Sequence, residues 1–282
     1  MLDTGEIIAE FEEHYGLPRD WILDGIQTAF EQVLSDLYRR PVGVFLEEES
    51  FEVRIYEDRG GVTEERVLPL ARIRGWNTIR RRIEFQLRKL AVLRDFENLR
   101  PYEGTLVKGR IALVDVDGTL YVQTEIRMGE PITCLCERRC QPPRERKEGY
   151  MRGEQRSFRL SKVRGVILEG VPRLKVHLDR MSPELPVLLI QEEMRRRDAW
   201  RGDIRVKGVK RIGGAFSLLA ASERLPPWAI RRATEELHER VRVVYGKDAL
   251  PYFQRGSPAD APDPYRNEGL RTPYDADSVT LL

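Results

Sequence analysis

The chain of 282 residues is 41% hydrophobic and 33% charged, with a formal net charge of only +2. That apolar content suffices for one or more cores in about two domains, or three small ones, and no apolar run approaches the roughly 20 residues that a membrane-spanning helix needs. The acidic, amphipathic stretch 1–13 does not read as a signal peptide, and with only three cysteines the expected setting is a reducing cytoplasm, not a disulfide scaffold.

Taken in chain order, residues 4–15 are predicted as a helix with Ile7, Ile8, Phe11 and Tyr15 on one face, stopped by Gly16. A second helix starts near Pro18, which suits a first helical turn. Its stripe is Trp21, Ile22, Ile26, Ala29, Phe30, Val33, Leu34 and Leu37, and it runs until Pro41. The period then drops to two. Val42, Val44 and Leu46 alternate, as do Phe51, Val53 and Ile55; Gly60-Gly61 supplies a turn, and Val67, Leu68 and Leu70 close a small meander. A long helix follows over 76–99, with Trp76, Ile79, Ile83, Leu87, Leu90 and Ala91 inward, and Pro101 ends it. From 104 to 178 the pattern is all β, with strands at 104–114, 119–124, 132–136, 155–168 and 172–178 and a hairpin turn at Asp117-Gly118. Five short strands in that span fit an OB-type barrel, with a basic loop at 137–152. Beyond Pro183 come a helix (184–197), strands at 203–210 and 215–220 joined at Gly213-Gly214, a helix (227–239) and a strand (241–245), an αββαβ order. After Ala249 the chain is rich in Pro, Asp and Gly and is expected to be disordered.

Charge is unevenly spread. Residues 1–70 hold 17 acidic and 6 basic side chains, whereas 72–100 hold 9 basic and 3 acidic, 138–166 hold 10 and 3, and 195–247 hold 14 and 6. An acidic head followed by basic segments predicts polyanion contact downstream of the head. Arg binds phosphate bidentately and stays charged, so Arg72, Arg74, Arg80, Arg81, Arg82, Arg88 and Lys89 are candidates for contact with RNA or a partner protein. In the barrel, Arg138, Arg139, Arg144, Arg146, Lys147, Arg152 and Arg159 supply charge, and Tyr121, Tyr150 and Phe158 are the available rings for stacking, Phe158 being equally readable as core.

Cys134, Cys136 and Cys140 form C-x-C-x₃-C, to which His177 would add a fourth zinc ligand. The spacing is not that of paired zinc-binding cysteines, and buried cysteines on a strand serve equally as small hydrophobes, so no metal or cofactor is expected. Asp115-Val116-Asp117-Gly118-Thr119 is similar to a phosphotransfer loop, but it sits in all-β surroundings and reads as a hairpin; no Walker loop, G-x-S-x-G or H-E-x-x-H is present. No enzymatic activity is expected.

Three stretches together resemble the NusA family of transcription elongation factors. EIIAEFEEHYGLPRDWILDGIQTAFEQVL (6–34), with the meander and the long helix, is similar to the family's polymerase-binding head. FENLRPYEGTLVKGR (96–110) and MRGEQRSFRLSKV (151–163) are similar to its S1-motif barrel, with Gly153, Glu154 and Arg156 where Gly, Asp and a basic residue are typical. LKVHLDRMSPELPVLLIQ (174–191) and GDIRVKGVK (202–210) resemble its barrel exit and KH unit. The chain departs from the pattern in having no GxxG, the loop with which a KH unit grips nucleic-acid backbone. Glu223-Arg224-Leu225-Pro226-Pro227-Trp228 stands there instead, and proline has no backbone N–H to offer phosphate.

The resemblance implies a multidomain α+β fold: a NusA-type N-terminal domain (1–100), an S1-type OB β-barrel (101–180), a degenerate KH-like α+β unit (181–248) and a tail (249–282). It also implies regulation of transcription elongation, termination or antitermination in the cytoplasm. The partners would be bacterial RNA polymerase near its RNA exit region, nascent RNA held weakly or nonspecifically, and other factors of a Nus-type complex, with no membrane. A free S1/KH-type RNA-binding protein of RNA processing or translation is the alternative, and a ribonucleoprotein subunit a third.

Overall fold

The apolar stripe that begins after Pro18 folds as a 20-residue helix, α1 (Arg19–Tyr38), in a computed structural model that describes residues 9, 12–46, 51–59, 62–69, 73, 75–126, 131–254 and 279–281. Of the preceding helix, Ala9 and 12–15 are helical, while Ile7, Ile8 and Phe11 lie outside the described residues. Ile22, Gly25, Ile26, Ala29, Phe30 and Leu34 form the buried stripe of α1. Trp21 and Leu37, expected on that stripe, are instead 37% and 51% exposed, each at its margin.

An antiparallel meander of β1 (Val42–Leu46), β2 (Phe51–Arg59) and β3 (Val62–Val67) follows. Val42, Val44, Leu46, Val53 and Ile55 face the core, as a period of two requires. The third strand lies earlier than the expected 67–70, because β3 pairs with the far half of β2, Arg54 to Arg59. Helix α2 (Trp76–Leu99) buries Ile79, Ile83 and Leu87 against α1. Gly25 permits the approach: a Cβ there would lie 2.8 Å from Leu87 Cδ2. Phe30 meets Phe51 and Trp76 edge-on at 4.9 and 5.6 Å between ring centroids. Arg94 closes the turn before α1, with Nη1 donating to the carbonyls of Tyr15 (3.2 Å) and Gly16 (2.6 Å).

The chain divides into two compact units. One is Met1–Asn98 with Gly165–Leu174 and Asp275–Leu282, and the other is Leu99–Arg164 with Lys175–Tyr274. The second begins with β4 (Leu106–Val114), β5 (Leu120–Thr124) and β6 (Ile132–Cys136), continues through a short helix α3 (Pro143–Glu148), and returns in β7 (Gln155–Leu168) and β8 (Val171–Asp179). β4 pairs antiparallel with β5 and β7, β5 with β6, and β6 runs parallel to β8. Because β7 also pairs with β8, the five strands close into a ring. Ile111, Leu120, Val122, Cys134, Cys136, Phe158, Leu160 and Leu178 are buried within it. Gly109 lets β4 bend, since a Cβ there would fall 2.3 Å from Val122 Cγ1. The Asp115–Thr119 turn is a hairpin, as expected, with Asp115 N–H donating to Thr119 O and Gly118 N–H to Asp115 O.

In the same unit, α4 (Leu185–Arg196), β9 (Val206–Ile212), β10 (Phe216–Ala221), α5 (Pro227–Leu237) and β11 (Arg240–Tyr245) form the αββαβ element. β10 is central, antiparallel to β9 and parallel to β11. Leu185, Ile190, Met194, Leu219, Ala229 and Leu237 fill the core beneath the helices. The featureless tail expected from 249 begins instead with a short helix, α6 (Leu250–Gln254), whose Phe253 ring lies under the Arg205 guanidinium at 5.0 Å. Residues 279–281 form β12, antiparallel to 166–168 of β7.

Candidate nucleic-acid interface

On α2, Arg81 and Arg88 lie on the side opposite the core stripe. Arg80, Arg81, Arg82 and Arg88 are exposed and Lys89 is half-buried; Arg72 and Arg74 lie outside the described residues. Arg80 pairs with Glu84 at 3.3 Å. Arg82 donates from Nε and Nη2 to Gln32 Oε1 (2.9 and 2.7 Å) and lies 5.5 Å from the Phe85 ring centroid, so it is anchored to its own domain. Arg81 and Arg88 are seven residues apart, hence on one stripe, and form no hydrogen bond or ion pair among the described residues. They are the cations on this helix best placed to meet a partner.

In the barrel, β5 alternates strictly: Leu120, Val122 and Thr124 are buried, and Tyr121 and Gln123 turn outward. The strand registers align Leu113 of β4, Tyr121, Leu135 of β6 and His177 of β8 in one row across four strands. Leu113 is 53% exposed. Arg110, Gln123 and Thr133 form the neighbouring row. The Tyr121 hydroxyl lies 3.5 Å from Asp115 Oδ2, and burial together with the Asp115 and Asp117 carboxylates raises its pKa, which keeps the ring neutral. His177 Nδ1 sits 3.4 Å from Glu137 Oε1, a contact that lowers the Glu137 pKa. The Arg138 stem passes over Gly118, whose added Cβ would be 3.2 Å from Arg138 Cδ, and Arg139 pairs with Glu137 at 2.7 Å. A row of two leucines and two rings, bordered by Arg110 and Arg138, can hold a base by stacking and its phosphate by charge.

The other expected barrel residues are not gathered there. Arg159 is on β7, two strands from Tyr121, half-buried opposite Leu106. Arg152 is exposed in the turn before β7, and Arg146 and Lys147 are exposed on α3. Arg144 donates to Glu148 (2.8 Å) and to the His238 carbonyl (3.4 Å). The loop 137–152, read as a basic strip, is largely a brace. Its Glu145 is 4% exposed and binds Arg180, which is fully buried. The Tyr150 hydroxyl donates to Glu145 Oε2 at 2.7 Å, which removes Tyr150 as a stacking ring, and Phe158 is wholly buried core. Leu113, His177 and Arg110 were missed from the sequence; their shared parity with Tyr121, once register is known, is the signal that finds them.

The three thiols sit in an unfavourable place for ionisation. Cys134 and Cys136 are buried; burial pushes Cys134 and Cys140 up to about 12, and Cys136 also well above its ordinary value. Among the described residues no three His, Cys, Asp or Glu side chains are grouped as metal ligands. No helix among those residues is long and apolar enough to cross a membrane. No protein-family model matches the chain, and a search of curated proteins finds no significant match.

Proposed function

We propose that the chain is a NusA-like transcription regulator of the cytoplasm that acts on elongation, pausing, termination or antitermination. Its head docks on bacterial RNA polymerase near the RNA exit, presenting Arg81 and Arg88 to the enzyme or to emerging RNA. The outer face of the barrel, around Tyr121, Arg110 and Arg138, makes weak contact with that RNA.

The observation that carries this reading is the strand order of the ring, β4-β5-β6-β8-β7 with β6 parallel to β8, which fits an S1-type OB barrel that follows a helix–meander–helix head and precedes an αββαβ element in chain order. The element fits a KH-like unit that has lost its grip: Ser222–Pro226 joins β10 directly to α5, with no intervening helix and no GxxG. Protein contact would therefore carry more of the function than sequence reading of RNA.

The test is a purified transcription reaction with bacterial RNA polymerase and the full chain. Co-elution with polymerase and a changed pause lifetime or termination efficiency are expected. If the chain neither co-elutes nor alters pausing or termination, the reading fails.

A further inference from the structure

The sheet of the αββαβ element carries α4 and α5 on one side. Ser217, Leu219 and Ala221 of β10 point under α4 and α5 and are buried, so Phe216 and Leu218 point the other way. Register completes that face. Ile212, Phe216 and Arg240 form one row, and Lys210, Leu218 and Arg242 the next. Ile212 is 53% exposed; Lys210, Arg240 and Arg242 are exposed, and Phe216 and Leu218 half-buried. In the third row, Lys207, Ala220 and Val244, Ala220 is fully buried and Lys207 Nζ donates to Tyr252 O of α6, so α6 closes that end.

The two open rows thus hold one aromatic ring, two aliphatic side chains and three cations, and no acid. The nearest acid in sequence, Glu239, turns inward, where it binds Arg211 (2.6 Å), Gly214 N–H (2.9 Å) and the Ser217 hydroxyl (2.6 Å). The inward acid is thereby neutralised by an inward cation, Arg211. The buried carboxylate is fully engaged, and the side chains of the two open rows are cationic or apolar.

We infer that this open sheet face is a single-stranded RNA contact, with a base stacked on Phe216 against Leu218 and Ile212 and with Lys210, Arg240 and Arg242 on the flanking phosphates. Charge complementarity selects the occupant: an apolar protein ligand would strand three cations, whereas a polyanion with flat bases meets both kinds of group. The inference deepens the RNA-contacting part of the proposed function and rests on it. It also supplies what the absent GxxG leaves out, on the opposite side of the element from its helices.

The experiment measures anisotropy of a fluorescein-labelled ten-nucleotide oligouridine with the full chain over a salt series. Replacing two cations as Arg240→Ala/Arg242→Ala should weaken binding about tenfold and flatten the slope of log K against log salt by about 1.4. Phe216→Leu should weaken it at least about fivefold with the slope unchanged, and Tyr121→Ala reports the barrel face separately. Ultraviolet crosslinking of the unaltered protein should mark the peptide holding Phe216, which keeps the test sound if Phe216→Leu folds poorly. The inference is overturned if the oligonucleotide does not bind, or if it binds and both sheet variants match the parent. It is also overturned if the double variant loses polymerase while keeping RNA, which would make the face a protein site. Polymerase co-elution judges the wider reading independently of all three.

Discussion

Arg180 grips Glu145 with two hydrogen bonds, Nε to Oε2 at 2.7 Å and Nη2 to Oε1 at 2.5 Å, across 35 residues of sequence. Its Nη1 also donates to the Ser157 carbonyl and lies 3.4 Å from Glu236 of α5, whose carboxylate accepts the Ser157 N–H. One guanidinium therefore ties the end of β8, helix α3 and the αββαβ element together. Removing one partner of a buried pair leaves an uncompensated charge, so Glu145→Ala should cost about 3–5 kcal/mol in urea unfolding. Glu148→Ala, which removes the exposed partner of Arg144, should cost no more than about 0.5 kcal/mol. Equal effects would mean that the buried pair is not the brace.

The same carboxylate gives stability a pH dependence. Burial alone would raise the Glu145 pKa, but the hydrogen bonds from Arg180 outweigh it and hold the group below its ordinary 4.5. A depressed folded-state pKa contributes stability that is complete above the unfolded value and is lost as pH falls through the folded one. The urea midpoint should thus be flat from neutral pH down to about 5, and fall at more acidic pH. Glu145→Gln, measured against the parent, should show a shallower acid slope, and an unchanged slope would assign the acid sensitivity to other carboxylates.

Much of the architecture was legible in the sequence, because it rests on periodicity. The α1 stripe, the alternation of Val42, Val44 and Leu46, and the order of the five barrel strands all follow from spacing that burial enforces. The binding surface was less legible. Tyr121 was found by residue type, but its row partner His177 lies far along the chain and is brought into line only by closure of the ring, and Leu113, just across the hairpin, takes its place through a register shift in β4 that no local pattern encodes. Charge misled in the loop 137–152, where Glu145 looks like one acid among solvated bases and is in fact 4% exposed, bound to the buried Arg180. The open sheet face was invisible for a related reason: Lys210, Phe216 and Arg242 belong to three strands.

Gly25 sets how closely α1 and α2 approach. In a free helix, alanine would be favoured over glycine by about 1 kcal/mol. Here its Cβ would sit 2.8 Å from Leu87 Cδ2 and 3.1 Å from Leu90 Cδ1, and Leu87 is fully buried with little room to move. Overpacking of that kind costs about 1–3 kcal/mol, so Gly25→Ala should be net destabilising by about 1 kcal/mol in urea unfolding. A gain in stability would show that the two helices separate freely.

The buried thiols predict slow chemistry. The thiolate is the nucleophile, and with Cys134 and Cys140 pushed up to about 12 almost none is present at pH 8. A chromogenic disulfide reagent should therefore react sluggishly with the native chain at that pH and rapidly with all three cysteines in denaturant. Fast reaction of the native protein would require an exposed, ionised thiol and would contradict the burial.

The polymerase reading turns on the outward stripe of α2. Arg81 and Arg88 face away from Ile79, Ile83 and Leu87 and are exposed, so reversing both as Arg81→Glu/Arg88→Glu should change stability by no more than about 0.5 kcal/mol. The concentration of chain that gives half its effect on pausing should rise about tenfold at low ionic strength, and the difference should shrink as salt screens the contact. Arg82→Gln offers the contrast, because that side chain is already committed to Gln32 and Phe85 and its loss should leave pausing unchanged. If the double reversal leaves pausing untouched as well, this helix does not face polymerase or RNA, and docking must be sought elsewhere on the head.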